Sequence, residues 1–314
     1  MPKILFYRDF RRFTGGDLKV WDYFNHVRAT PGWEPYVRFY GESAWDETNP
    51  WNSAREHVLE PDVALEPDAH FVSGVDWRQI DGAVRPDSPI PVVNLVQHVK
   101  HADTSDTLLR HRFLPHKAIR ICVSREVAQA IEATGTVRGP VFTIPDAIDV
   151  AWLERLGSAA VRDLDAVVAA NKQPEMGAEV TARLEAPGRR VELLDTRIPR
   201  DRLLDRLARA RVAVFVPNPE EGFYLPAIEA MALGTLVVCP DCVGNRSFCE
   251  PGVNCFRPPW EVDAIVAQAE QALASGDGER LVEAAHATAR RHDLAGERAA
   301  FQDILGRLDE LWAG

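Results

Sequence analysis

The chain has 314 residues, 46% of them hydrophobic and 26% charged, a globular composition with room for two domains of ordinary size. Its formal net charge of −11 speaks against a nucleic-acid partner, because a phosphate backbone demands a basic face. No apolar run approaches the roughly 20 residues of a membrane span, the start MPKILFYRDF is unlike a signal peptide, and an odd count of five cysteines points to free thiols in a reducing cytoplasm.

Short β-branched runs alternate with amphipathic helices, the pattern of βαβ units and parallel sheets. A first strand is expected at LFY after Lys3-Ile4. The loop RDFRRFTGG follows, then a helix from about Asp17, whose side chain suits an N-cap. Leu18, Trp21 and Phe24 share one face of that helix. Further strands are expected at 36–41, 69–74, 91–97, 118–124 and 141–146, with a helix over 125–133 capped by Ser124. The segment from Asp146 to Arg162 has no strand signal and marks a domain boundary. The rhythm then restarts, with strands at 164–170, 190–195, 212–217 and 235–239 and helices at 200–210, 226–233, 261–275, 279–291 and 297–312. These elements make an α/β protein of two Rossmann-like, doubly wound parallel-sheet domains. The first is expected over 1–149 and the second over 150–294, with a C-terminal helix over 295–314 packing back toward the first. Ligands of such sheets bind at strand carboxyl ends near helix N-termini, so a central cleft between the halves is the expected site.

The stretch PEEGFYLPAIEAMALGTLVVCPDC (219–242) concentrates the chemistry. Pro226 suits a first helical turn and Gly234 the residue just past a helix end. Glu221 is then in the loop after a buried strand, and Glu229 one turn into the next helix. The N–H groups from Gly222 to Leu225 point into the same space, suiting a polyhydroxylated ligand that carries phosphates. Acidic residues near a helix N-terminus are also favoured by the macrodipole alone.

The run EGFYLPAIEAMALGTLVV (221–238) resembles the Glu-x7-Glu region of GT-B glycosyltransferases of the family 4 type. VGNRSFCEPGVNCFRP (243–258), ICVSREVAQAI (121–131), VFTIPDAIDVAWL (141–153) and FTGGDLKV (13–20) resemble other segments of that family, in the same order. The resemblance implies the GT-B architecture. It also implies transfer of a sugar from a nucleoside-diphosphate sugar, as co-substrate, to an acceptor hydroxyl, with retention and with no metal or cofactor. Glu221 and Glu229 match the glutamates that contact the donor sugar and the nucleotide ribose. Gly222, Phe223, Tyr224 and Leu225 would present backbone groups to sugar and phosphates. Tyr224 replaces a usual glycine and is expected to reshape the sugar pocket. His98, ending PVVNLVQH, matches a histidine near the transferring carbon, with His101 second. Gly15 and Gly16 match the first Gly-Gly loop, and the base is expected near Asp195 to Ile198.

One departure concerns the diphosphate. The family usually holds it with an arginine and a lysine after the first C-domain strand. Here the stretch is AANKQPEMGAEV (169–180), with Lys172 as its only cation and Met176-Gly177 where Lys-Gly would stand. Lys172 is therefore expected to supply the counter-charge. Arg8, Arg11 and Arg12 are candidates to meet an anion or simply to be solvated.

Two clusters invite a metal reading. His98, His101, His111 and His116 are spaced by three, ten and five, which fits no standard zinc pattern. Cys239, Cys242, Cys249 and Cys255 fall within 17 residues, but strands and turns separate them, and buried small hydrophobes are the expectation. The acceptor is left open between a saccharide, a lipid-linked and a small molecule, with peripheral membrane contact also open. A GT-B sugar-nucleotide epimerase and a non-catalytic nucleotide-sugar or partner-binding subunit are the alternative readings. A dinucleotide-binding dehydrogenase is disfavoured, since no strand is followed by G-x-G-x-x-G.

Overall fold

Strands with near-continuous apolar runs, such as Val92–Val96 and Ala69–Ser73, are buried along their whole length. Strands of that kind need cover on both faces, as parallel sheets provide. The computed structural model describes residues 1–60, 62–80, 89–103, 113–276 and 278–314. Its strands form two all-parallel sheets, and the chain divides into two compact units. The first comprises Met1–Asp146 and Glu297–Gly314, the second Ala147–Gly296.

The first unit contains β1 (Lys3–Arg8), α1 (Gly15–Arg28), β2 (Glu34–Phe39), β3 (Val58–Leu59), β4 (Ala69–Ser73), β5 (Val92–Val96), β6 (Ile119–Cys122), α2 (Arg125–Glu132) and β7 (Val141–Thr143). Its strand order is β3-β2-β1-β4-β5-β6-β7, reversing direction between β1 and β4. Helix α1 begins earlier than its sequence suggests. Thr14 is the N-cap and accepts from Asp17 N at 3.2 Å, while the Asp17 carboxylate pairs with Arg8. A hydroxyl at the right position outcompetes a carboxylate that a buried cation already holds. The buried apolar face is Val20, Tyr23, Phe24 and Val27; Leu18 and Trp21 are only half-buried.

Aromatic rings fill the core of this unit. Phe6 stacks on Phe71 at 4.4 Å, and Tyr23 meets Phe301 edge-on at 4.9 Å. Phe301 belongs to α9 (Leu294–Gly306), which is followed by α10 (Leu308–Ala313). The single helix expected over 297–312 is thus two, broken at Arg307. Lys19 is fully buried beside Glu297, with Nζ 2.8 Å from one carboxylate oxygen, and His26 Nε2 lies 2.8 Å from the other.

The second unit contains α3 (Val150–Ala159), β8 (Leu164–Ala169), α4 (Pro174–Leu184), β9 (Val191–Leu194), α5 (Arg200–Arg209), β10 (Ala210–Phe215), α6 (Leu225–Ala232), β11 (Leu236–Val238), α7 (Val262–Ala274) and α8 (Gly278–Arg290). Its strand order is β11-β10-β8-β9. Helix α3 occupies the segment that the sequence marks as a boundary, and α4 begins inside the expected phosphate loop. Near its ends the unit is laced together: Ile148 N donates to His292 O at 2.9 Å and Leu294 N to Ile148 O at 3.2 Å. Among the described residues no helix is long and apolar enough to cross a membrane.

Candidate active site

In the second sheet β8 lies between β9 and β10, so the connections leaving β8 and β10 run to opposite sides. A doubly wound sheet opens its ligand crevice at such a reversal, outside the strand carboxyl ends. Lys172 follows β8, and Glu221 follows β10. Lys172 Nζ stands 3.5 Å from Glu221 Oε1. That oxygen is buried and accepts no hydrogen bond among the described residues. An acceptor desolvated and left without a donor is costly unless a ligand supplies one.

The loop carrying Glu221 is clasped by the segment after β11. Val243 N donates to Pro219 O and Tyr224 N to Gly244 O, both at 2.9 Å. A side chain at Gly244 would place a Cβ 2.7 Å from Tyr224 N and 2.9 Å from Glu221 O, so only glycine permits this approach. Asn245 is fully buried behind the clasp, its amide nitrogen donating to Pro240 O at 2.8 Å and its oxygen accepting from Cys242 N at 3.2 Å.

These contacts revise the expectation for the backbone donors. Tyr224 N is used by the clasp. Gly222, Phe223 and Leu225 donate no backbone hydrogen bond through their N–H groups among the described residues, and they remain suited to an anion at the start of α6. The Tyr224 ring is 6% exposed and packs edge-on against Phe215 at 5.6 Å. It is part of the core under the loop and does not stand open in a pocket. Burial, with Cys239, Glu221 and Glu229 nearby, raises its pKa well above that of an ordinary tyrosine. Phe223 packs against Phe248 and His292, at 5.2 and 5.5 Å.

Glu229 lies one turn into α6, as its spacing predicts, and its side chain is 3% exposed. Arg200 Nε donates to its Oε1 at 2.9 Å and Arg200 Nη2 to the same oxygen at 2.5 Å. The guanidinium carbon is 5.5 Å from the centre of the Trp152 ring. Arg200 and Trp152 are not marked by the motif. The signal available for Arg200 was a cation at the start of the helix after β9, beside the expected base site.

Lys172 precedes α4, whose first turn contains Met176 and Gly177. Met176 packs against the sheet core, so no cation stands at that position. A Cβ on Gly177 would lie 2.1 Å from Ala170 Cβ, which fixes α4 closely against the end of β8.

Gly15, Gly16 and His98 belong to the first unit. Gly15 and Gly16 open α1, and their N–H groups have no partner among the described residues. Gly16 O accepts from Gln97 Nε2 at 3.3 Å, which ties the start of α1 to the end of β5. His98 is the N-cap of a short 3-10 turn, its Nδ1 accepting from Lys100 N at 3.0 Å. The neutral ring therefore carries its proton on Nε2. Arg8 is no anion receptor, since Asp17 and Asp76 both pair with it. Arg11 is exposed and paired with Asp9.

The five cysteines are free and buried. Among the described residues no group of three or more His, Cys, Asp or Glu side chains is placed to hold a metal ion. His111 lies outside the described residues.

Residues 147–275 match the family model of the glycosyl transferases group 1. This stretch, within the second unit, is similar to a glycosyltransferase domain. None of the curated proteins compared with the chain matches it. Several solved structures match it over nearly their whole length. HepE from Anabaena, in complex with UDP, has a TM-score of 0.74 at 15% identity, covering 98% of this chain and 100% of that one. Sucrose-phosphate synthase from Thermosynechococcus elongatus has a TM-score of 0.70 at 13% identity, with 98% and 99% covered. A glycosyltransferase from Rickettsia africae has a TM-score of 0.72 at 12% identity, with 96% and 97% covered. At such identities the likeness concerns the fold, and the fold is GT-B.

Proposed function

We propose that the protein transfers a sugar from a nucleoside-diphosphate sugar to an acceptor hydroxyl, with retention of configuration and without a metal ion. The observation that carries this reading is Lys172 beside a buried, hydrogen-bond-deficient Glu221 at the reversal of the second sheet. A sugar hydroxyl donates to Glu221, which is ion-paired with Lys172 but short of a hydrogen bond. Lys172 and the N–H groups of Gly222, Phe223 and Leu225 face the leaving diphosphate, where negative charge grows as the bond breaks. Glu229 takes the ribose. UDP is the first donor nucleotide to test, because HepE is bound to UDP and, in another structure, to UDP-glucose.

In this mechanism the bond from the anomeric carbon to the diphosphate oxygen breaks while the acceptor oxygen bonds to the same face. The acceptor proton passes to the leaving phosphate, so no carboxylate nucleophile is required. The resemblance assigns the acceptor to the first unit, with His98 as its candidate catalytic residue and Gly15 and Gly16 as candidate donor-binding residues.

A screen of UDP-, GDP- and TDP-sugars by thermal shift identifies the donor. Nucleoside diphosphate released only when an acceptor is present supports transfer, whereas a changed sugar without an acceptor indicates an epimerase. NMR of the product anomer tests retention, and full activity in excess EDTA tests metal independence. Met176 in place of a second cation favours one other reading, a non-catalytic partner subunit, which calorimetry without any nucleotide binding would support.

A further inference from the structure

Arg200 has no part in the sugar and diphosphate contacts proposed above. It begins α5, after the edge strand β9, and gives two hydrogen bonds to one oxygen of Glu229. Its Nη1 donates to nothing among the described residues, and its side chain is 27% exposed. The Trp152 indole of α3 stands against the guanidinium. Three helices thus meet around one buried carboxylate. The indole face and the paired carboxylate set the guanidinium plane, and a fixed guanidinium in turn sets the carboxylate. A carboxylate paired with a guanidinium serves as a hydrogen-bond acceptor.

We infer that Arg200 is a positioning residue, aiming the Glu229 carboxylate so that the site selects a ribonucleoside diphosphate over its 2′-deoxy counterpart. The inference rests on the reading of Glu229 as the ribose contact. A ribose brings two hydroxyl donors to an acceptor-only group. A deoxyribose brings one, and a buried acceptor left short of a donor is what makes such sites discriminate. Without Arg200 the carboxylate loses its counter-charge. It is then no longer held in one plane and meets the two hydroxyls less squarely. Its preference for two ribose donors falls accordingly.

Calorimetric titration of the full chain with UDP, GDP and ADP, and with the 2′-deoxy form of each, separates the two readings. Wild-type protein is expected to bind one ribonucleotide about tenfold or more tightly than its deoxy form. Arg200→Gln should weaken the ribonucleotide about tenfold or more and the deoxy form by less than about threefold, so that the two converge. Arg200→Lys keeps the charge without the planar fork and should recover part of the preference. Thermal melts confirm that each variant is folded; if Arg200→Gln is not, Arg200→Lys with an undiminished wild-type ratio overturns the inference. An unchanged ratio in folded Arg200→Gln overturns it too and leaves the Glu229 reading standing. Absence of discrimination, or of any nucleotide binding, in the wild type overturns both.

Discussion

Glu221 and Glu229 are separated by one loop and one helical turn, yet their surroundings differ in kind. Glu221 has a lysine at 3.5 Å and a buried oxygen without a donor, whereas Glu229 is held by an arginine fork. The first is poised to take a hydrogen bond and the second to present a fixed surface. Away from the site, His70 shows the same dependence on surroundings. It is 5% exposed within β4, its Nδ1 lies 3.0 Å from the Tyr7 hydroxyl, and burial lowers its pKa from 6.5 to about 4. The folded ring therefore stays neutral where the unfolded one takes up a proton. Stability from this residue is complete above about pH 6.5 and is lost as the pH falls toward 4, by up to about 3 kcal/mol. Urea unfolding of wild type and His70→Gln across that range checks it: the curve of the variant should be flatter below pH 6.5.

Elements show what local pattern can and cannot encode. The parallel strands were legible because continuous β-branched runs have few other uses, and α6 because Pro226 and Gly234 punctuate it. Gly234 indeed ends it with φ of 73°. The motif also put Glu221 on a loop and Glu229 one turn into the helix that follows. What it concealed is equally specific. Met176, Val180 and Leu184 recur at helical spacing, but their place after β8 suggested a phosphate loop. Val150, Leu153 and Gly157 form the buried side of α3 in a stretch that merely lacked strand signals. The clasp at Gly244 and the fork at Arg200 depend on contacts across 20 to 30 residues, which no local window contains. Gly177 tests whether the close seating of α4 matters to the site. Gly177→Ala forces a Cβ into Ala170, so α4 must move. We expect a loss of about 1–3 kcal/mol by denaturant melts, with weakened nucleotide binding by calorimetry because Lys172 connects α4 to β8.

At the scale of the molecule, a buried charge cluster stands where the chain passes from one unit to the other. Lys19 pairs with Asp22 and Glu297, and Asp146 is close enough to feel it. Burial lifts the pKa of Asp146 well above normal, with Lys19 opposing. Burial also pushes Glu297 upward, but Lys19 and His26 outweigh it and hold its pKa below the usual value. Glu297 therefore contributes stability above the pKa of an unfolded carboxylate, and that contribution fades as the pH falls through its own lower value. Glu297→Ala leaves Lys19 buried with less counter-charge and should cost about 3–5 kcal/mol at neutral pH. Chemical denaturation reads the loss, which should shrink as the pH falls below the usual carboxylate range.

The two ends of the second unit run side by side, tied through Ile148, His292 and Leu294. In genetic terms the second unit is a cassette inserted into the first, with entry and exit adjacent. Such a piece can be cut out without opening a wide gap. Residues 147–296 made alone should melt cooperatively by circular dichroism and still bind the nucleotide. The remainder, rejoined across Asp146 and Glu297 by a short glycine-serine bridge, should fold without nucleotide affinity. Should the excised cassette prove unfolded, the units depend on one another for stability, and the insertion is one of sequence only.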